Sequence, residues 1–102
     1  VYVMDCPVSV GRDDACRLRL SGNSASRFHG RIEFDGERFV FVDDSRNGSY
    51  LMTAHGDEIF LRGERAPLSG AGVISPGVPL TQQPGEVLRY RCHRPHASEM
   101  PV

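Results

Sequence analysis

The chain has 102 residues, 39% hydrophobic and 25% charged, with 12 basic against 13 acidic side chains and a formal net charge of −1. That composition describes one globular domain and excludes a disordered chain. The near-neutral balance argues against broad nucleic-acid binding, and the longest apolar run, Phe39-Val40-Phe41-Val42, falls far short of the roughly 20 residues of a membrane-spanning helix. All the basic residues are arginine, so any anion site here is an arginine site, built from planar donor forks that suit carboxylate and phosphate oxygens. Position 1 is Val rather than Met, and the first residues lack the basic and apolar regions of a secretion signal. The expectation is a cytoplasmic piece of a longer protein. Three cysteines, Cys6, Cys16 and Cys92, fit a reduced setting, and the sequence leaves a Cys6–Cys92 bridge open.

In chain order the apolar residues alternate or run over short stretches punctuated by Gly and Pro, a strand pattern. Strands are expected at Tyr2–Met4, Val8–Val10, Arg17–Leu20, Arg31–Phe34, Phe39–Val42, Ser49–Met52, Ile59–Leu61, Gly72–Ser75 and Val87–Arg91. Asp35-Gly36, between Ile32/Phe34 and Phe39/Phe41, marks a hairpin. Phe39 to Val42 is apolar at both parities and is expected to be covered on both faces, whereas Leu88 and Tyr90 should point inward and Arg89 and Arg91 outward. No window carries apolar residues at helical spacing. The reading is an all-β sandwich or barrel over residues 1–92, followed by a polar tail at 93–102.

Four short elements fall in expected turns: Gly11-Arg12, Ser26-Arg27-Phe28-His29, the run Asp43-Asp44-Ser45-Arg46-Asn47-Gly48-Ser49, and Leu68 to Ile74. Singly, each reads better as a plain structural turn, and Asp43, Asp44 and Ser45 are expected turn formers whose side chains can bond nearby backbone amides. An enzyme reading could take Ser26, His29 and Asp43, but no recognised triad places its serine and histidine so close, and Gly-x-Ser-x-Gly is missing. A metal reading could take Cys92, His93 and His96 but lacks a fourth ligand.

Together, in this order and spacing, Gly11-Arg12, Ser26-x-x-His29, Asn47-Gly48-Ser49 and the late Gly72-Val73-Ile74 resemble the forkhead-associated (FHA) domain, a phosphothreonine-reading β-sandwich. The resemblance implies two antiparallel or mixed twisted sheets with ligand-binding loops at one end. It also implies that Arg12, Ser26 and Arg27 bind the phosphate, that Arg46 and Asn47 contact the peptide, and that Gly11, His29, Gly48 and Ser49 support the loops. More locally, Glu58 to Arg62 and Pro67 to Gly77 look like a subgroup of FHA domains often attached to bacterial class III adenylate/guanylate cyclases. No cofactor or catalysis is implied. The implied partner is a threonine-phosphorylated protein or peptide, or a segment of the parent protein docking onto a fused effector such as a nucleotide cyclase, with neither nucleic acid nor membrane involved. The rival within the same fold is a phosphate-independent interaction or oligomerisation module.

Three departures stand out. Ser49 replaces the usual Thr, Met52 stands where many members carry a second Asn, and Arg17 stands where Asp is common. The segment ahead of Gly11 is also short for the family.

Overall fold

In the computed structural model, which describes residues 6–82 and 85–92, the pattern of alternation and turns becomes nine strands. These are β1 (Val8–Gly11), β2 (Leu18–Arg19), β3 (Gly30–Phe34), β4 (Phe39–Asp43), β5 (Ser49–Met52), β6 (Glu58–Leu61), β7 (Arg65–Leu68), β8 (Ala71–Pro76) and β9 (Leu88–Arg91), with a 3-10 turn at Leu80–Gln82. One sheet has the order β2-β1-β3-β4-β7 and the other β6-β5-β8-β9. The β1–β2 pair is parallel and the other pairs among the described residues are antiparallel. This is the two-sheet all-β sandwich expected, open at its edges rather than closed into a barrel.

The Asp35-Gly36 signal produces the β3–β4 hairpin. Phe34 pairs with Phe39, and the Asp35 carboxylate accepts the N–H groups of Glu37 (2.9 Å) and Arg38 (2.8 Å), closing a four-residue loop. Inward residues from both sheets form the core, among them Val8, Val10, Ile32, Phe41, Leu51, Leu61, Leu68 and Ile74. Phe41 is fully buried on the inner face of β4. On the outer face Val40 and Val42 are also buried, because their cross-strand neighbours Glu33, Arg31 and Arg65 lie over them. Arg31 pairs with Glu33 and Asp44, and Arg65 with Glu33, so the arginine stems are held down as an apolar cover.

Two expectations need correction. Strand β7 was not anticipated, because Pro67 interrupts its pattern; β7 is a sheet edge, where a residue without an N–H is tolerated. The second strand is shorter than Arg17–Leu20. The expected strand Tyr2–Met4 and the tail at 93–102 lie outside the described residues. No disulfide joins Cys6, Cys16 or Cys92.

The register fixes which loops share an end. Val10, Gly30 and Asp43 stand side by side in one sheet, and Ser49 pairs with Pro76 in the other. The connections after β1, before β3, between β4 and β5, and after β8 therefore meet at one pole. Gly77 N–H donates to the Gly48 carbonyl (2.9 Å), tying the last two together.

Candidate functional site

At this pole the segment before β3 is threaded between its neighbours. Arg12 N–H donates to the Ser26 carbonyl (3.1 Å), Asp13 N–H to the Arg27 carbonyl (3.0 Å) and His29 N–H to the Val10 carbonyl (2.8 Å). The approach is close enough that a Cβ on Gly11 would collide with the Arg27 carbonyl, so only glycine fits there. Thus Gly11-Arg12 and Ser26-Arg27, well separated in sequence, lie backbone to backbone.

His29 is 1% exposed and joins this pair of loops to the β4–β5 turn. Its Nδ1 accepts the Ser26 N–H (3.0 Å). A backbone N–H can only donate, so Nδ1 carries no proton and Nε2 does. Nε2–H then donates to the Gly48 carbonyl (3.1 Å) and Ser49 Oγ (2.9 Å). Burial lowers the His29 pKa, and nearby Asp43 and the Gly48 carbonyl only partly offset this, which agrees with a neutral ring.

Behind His29 lies Asp43, fully buried at the end of β4. Its Oδ1 accepts the hydroxyls of Ser45 and Ser49, each at 2.7 Å, and its Oδ2 accepts the N–H groups of Ser45 (3.2 Å) and Gly63 (2.9 Å). Ser45 Oγ in turn accepts the Gly48 N–H (2.8 Å). Asp43 is therefore the hub of the Asp43–Ser49 turn: its bond to a nearby amide is that of the expected turn former, whereas its full burial and its hold on two hydroxyls and on Gly63 go beyond that reading. Asp44, read as a turn former, pairs instead with Arg31 on the outer face. Ser49, His29 and Asp43 form a chain of the same residue types as a hydrolytic triad, yet all three are at most 1% exposed and the Ser49 hydroxyl is committed to Asp43. No substrate reaches them, and the cluster is a brace.

Gly48 takes a φ of 85°, and a Cβ there would strike the Phe60 ring and the Leu61 carbonyl. The turn is thereby held with Arg46 and Asn47 exposed at its tip. Arg46 N–H donates to Ser26 Oγ (3.1 Å), and Asn47 Nδ2 lies 3.4 Å from the Ser24 carbonyl. Arg12 Nε donates to the buried Ala25 carbonyl, which anchors the guanidinium and leaves its Nη groups over. Among the described residues no carboxylate pairs with Arg12, Arg27 or Arg46. Arg12, Ser26, Arg46 and Asn47 are thus linked across three connections. Arg27 joins them through its neighbour Ser26, with its exposed side chain outside this bonded network. Arg17 is likewise exposed, immediately before β2, with its N–H on Ser9 Oγ (3.0 Å).

Glu86 is a further participant not visible in the sequence. Its carboxylate accepts the Ser21 N–H and hydroxyl and the Gly22 N–H, bonding across 64 and 65 residues of chain. Burial alone would raise its pKa; the donors of Gly22 and Ser21 outweigh it and hold the carboxyl below its ordinary range. Glu86 and Ser21 to Ala25 line a cleft of about 360 Å³ together with Pro76 and Val78, beside the Ser24 carbonyl that faces Asn47. Among the described residues no cluster of His, Cys, Asp and Glu could hold a metal ion, and no helix is long and apolar enough to cross a membrane. His93 and His96 lie outside the described residues.

A two-sheet sandwich whose end loops gather arginine, serine and asparagine around a buried His–Ser–Asp brace defines a loop-based binding module. The FHA domain family model matches residues 8–74, and the chain belongs to that family. No curated protein matches it. Among solved structures it is similar to the FHA-1 domain of Mycobacterium tuberculosis Rv1747, with 30% identity, 85% of this chain and 79% of that one covered, and a TM-score of 0.65. The MEK1 FHA domain, solved in complex with a HOP1 phosphothreonine peptide, is 33% identical over 67% of this chain and 70% of its own, with a TM-score of 0.53. The N-terminal FHA domain of S. cerevisiae Rad53p, also solved with a phosphothreonine peptide, is 26% identical over 80% of this chain and 62% of its own, with a TM-score of 0.58.

Proposed function

We propose that this domain binds threonine-phosphorylated protein segments and docks them onto an effector carried by the same protein. The observation that carries this reading is the meeting of Arg12, Ser26, Arg46 and Asn47 at one pole, on loops tied by backbone hydrogen bonds. A phosphothreonine brings close to two negative charges and three acceptor oxygens. Arg12, oriented by its Nε bond to Ala25, offers its Nη donors. Ser26 Oγ already accepts the Arg46 N–H, so its own proton is left to donate to a phosphate oxygen. Arg27 adds a second cation and Arg46 a third at the rim. The Asn47 amide, which both donates and accepts, suits the peptide backbone next to the phosphoresidue. Gly11, His29, Gly48 and Ser49 hold these groups in place, so little entropy is lost when a ligand orders them. A few charge-assisted bonds at roughly 1.5–3 kcal/mol each, less the cost of ordering a peptide, give a micromolar Kd.

The module binds rather than catalyses, and its setting is cytoplasmic. The likeness of Glu58 to Arg62 and Pro67 to Gly77 to cyclase-attached FHA domains points to a nucleotide cyclase as the effector, one that docking would regulate by changing its arrangement.

The test is a fluorescence anisotropy titration with a phosphothreonine peptide library and its unphosphorylated twin. Phosphate-dependent binding is expected, with Arg12→Ala weakening it at least tenfold while thermal unfolding stays nearly unchanged. Equal binding of both libraries would establish the phosphate-independent module instead. Unfolding of Arg12→Ala would make Arg12 scaffold.

A further inference from the structure

Among the described residues the two sheets end on four edge strands, β2, β7, β6 and β9, and an edge offers unpaired N–H and C=O groups to any further strand. Three of these edges are protected. Strand β2 is only two residues long. In β7 the bond from Asp43 N–H to the Glu64 carbonyl, with the register, leaves Arg65 and Pro67 facing the free edge, and Pro67 has no N–H to offer. In β9 the bond from Cys92 N–H to the Gly70 carbonyl leaves Arg89 and Arg91 facing out, and their like charges resist pairing with a second β9.

Strand β6 carries no such protection. Thr53 N–H donates to the Asp57 carbonyl (3.0 Å), so the bonded pairs with β5 fall at Ile59 and Leu61, and Glu58 and Phe60 turn their backbone groups outward. Phe60 is 46% exposed and Ile59 40%, which leaves apolar area in water on both faces of this edge. Phe60 stands on the outer face against Tyr50, with ring centroids 4.9 Å apart, and the strand's period of two puts Glu58 on that face as well. The Glu58 carboxylate accepts the Leu80 N–H on Oε1 (3.2 Å), which leaves Oε2 over. Arg62, two residues beyond Phe60, is exposed and pairs with no carboxylate among the described residues.

At alternate positions the edge therefore reads acid, aromatic, base, and that order is its own complement. A second copy laid antiparallel with Phe60 opposite Phe60 sets Glu58 of each strand against Arg62 of the other. It also joins the outward backbone groups of one strand to those of its mate. Sliding the copy by two residues sets Glu58 against Phe60 or Glu64 of the second copy and forfeits both ion pairs.

We propose that the domain self-associates through β6, which pairs antiparallel with β6 of a second copy about a two-fold axis at Phe60, so that the two four-stranded sheets run on as one. The copies run in opposite directions, and their loop poles lie at opposite ends of the dimer. The inference stands apart from what the loops bind. A single strand pair buries less than the roughly 1,200 Å² of a lasting complex, so a dimer dissociation constant on the order of 100 µM is expected.

Sedimentation velocity over a concentration series spanning that value should show the wild-type domain passing from monomer to dimer. Glu58→Arg and Arg62→Glu each set like charges on both sides of Phe60 and should weaken the dimer by roughly tenfold. An equimolar mixture of the two variants regains opposite charges at both pairs and should form a heterodimer within about threefold of wild-type affinity. That rescue also shows that both variants fold. Wild-type protein that stays monomeric throughout overturns the inference, and so does a dimer that neither variant weakens. Variants that keep the wild-type circular dichroism spectrum, lose the dimer and regain nothing on mixing overturn it too, because the two charges would then not face each other.

Discussion

Asp43→Asn replaces one oxygen of a buried carboxylate and changes almost nothing in shape, which isolates the role of the hub. The carboxylate takes four hydrogen bonds, two hydroxyls on Oδ1 and two backbone N–H groups on Oδ2. An amide has only one acceptor end. The N–H groups of Ser45 and Gly63 cannot reverse their polarity, so the amide oxygen must face them and its NH2 must face Ser45 and Ser49. Each of those hydroxyls loses its acceptor. Ser49 already accepts from His29, and Ser45 from Gly48, so neither has an easy second arrangement. Two charge-assisted bonds lost at about 1.5–2 kcal/mol each give a destabilisation of about 3–4 kcal/mol. For a domain of this length that lowers Tm by roughly 12–30 °C. The chain has no tryptophan, so urea unfolding is best followed by far-ultraviolet circular dichroism. Phosphopeptide affinity should fall in step, because the Arg46-Asn47 tip is built on the same turn. Asp43→Asn within about 0.5 kcal/mol of wild type would show that the turn stands without its buried carboxylate, and the account of how the site is held would be wrong.

Other expectations follow from the same geometry. Burial lowers the folded-state pKa of His29 below its ordinary 6.5, so between the two values the unfolded chain holds the extra proton. Stability should therefore rise with pH through that window and level off above about 6.5, with a slope of up to about 1.4 kcal/mol per pH unit. Protonated Nδ1 would also point a proton at the Ser26 N–H, so acid should loosen the Ser26 loop; unfolding curves that coincide at pH 7.5 and 5.5 would contradict this. Gly48→Ala forces a methyl into the Phe60 ring and the Leu61 carbonyl at positive φ, and should cost more than about 1 kcal/mol and weaken phosphopeptide binding. An alanine variant with wild-type Tm and affinity would show that the turn adapts freely. Phe41→Ala empties the centre of the sandwich and should cost about 3–5 kcal/mol in denaturant titration; a loss under about 1 kcal/mol would mean the core closes over the gap.

Much of the fold was legible because strands announce themselves locally. Phe39 to Val42 read as covered on both faces and is, and the Leu88/Tyr90 against Arg89/Arg91 alternation appears as half-buried and exposed residues in β9. Strand β7 was hidden by Pro67, since edge tolerance depends on sheet order, which no short window of sequence contains. Arg12, Ser26, His29 and Asn47 stood out through the order of their motifs. Asp43 read only as a turn former, because an aspartate in a turn looks the same exposed or buried; only packing shows four donors turned toward it. Phe60 and Ile59 read as one apolar run, and the exposure of both follows from β6 being an edge, which is again a matter of topology. The contact between Glu86 and Ser21 spans most of the chain and leaves no local trace.

Amide NMR spectra of the domain, recorded as a phosphothreonine peptide is added and again with its unphosphorylated twin, bear most directly on the whole account. With the phosphorylated peptide, the signals of Arg12, Ser26, Arg27, Arg46 and Asn47 should shift together and saturate at one Kd, while those of the β3–β4 hairpin at the far pole stay put. Shifts centred on that hairpin or on β9, or the same shifts with both peptides, would mean that the three loops do not converge on a phosphate.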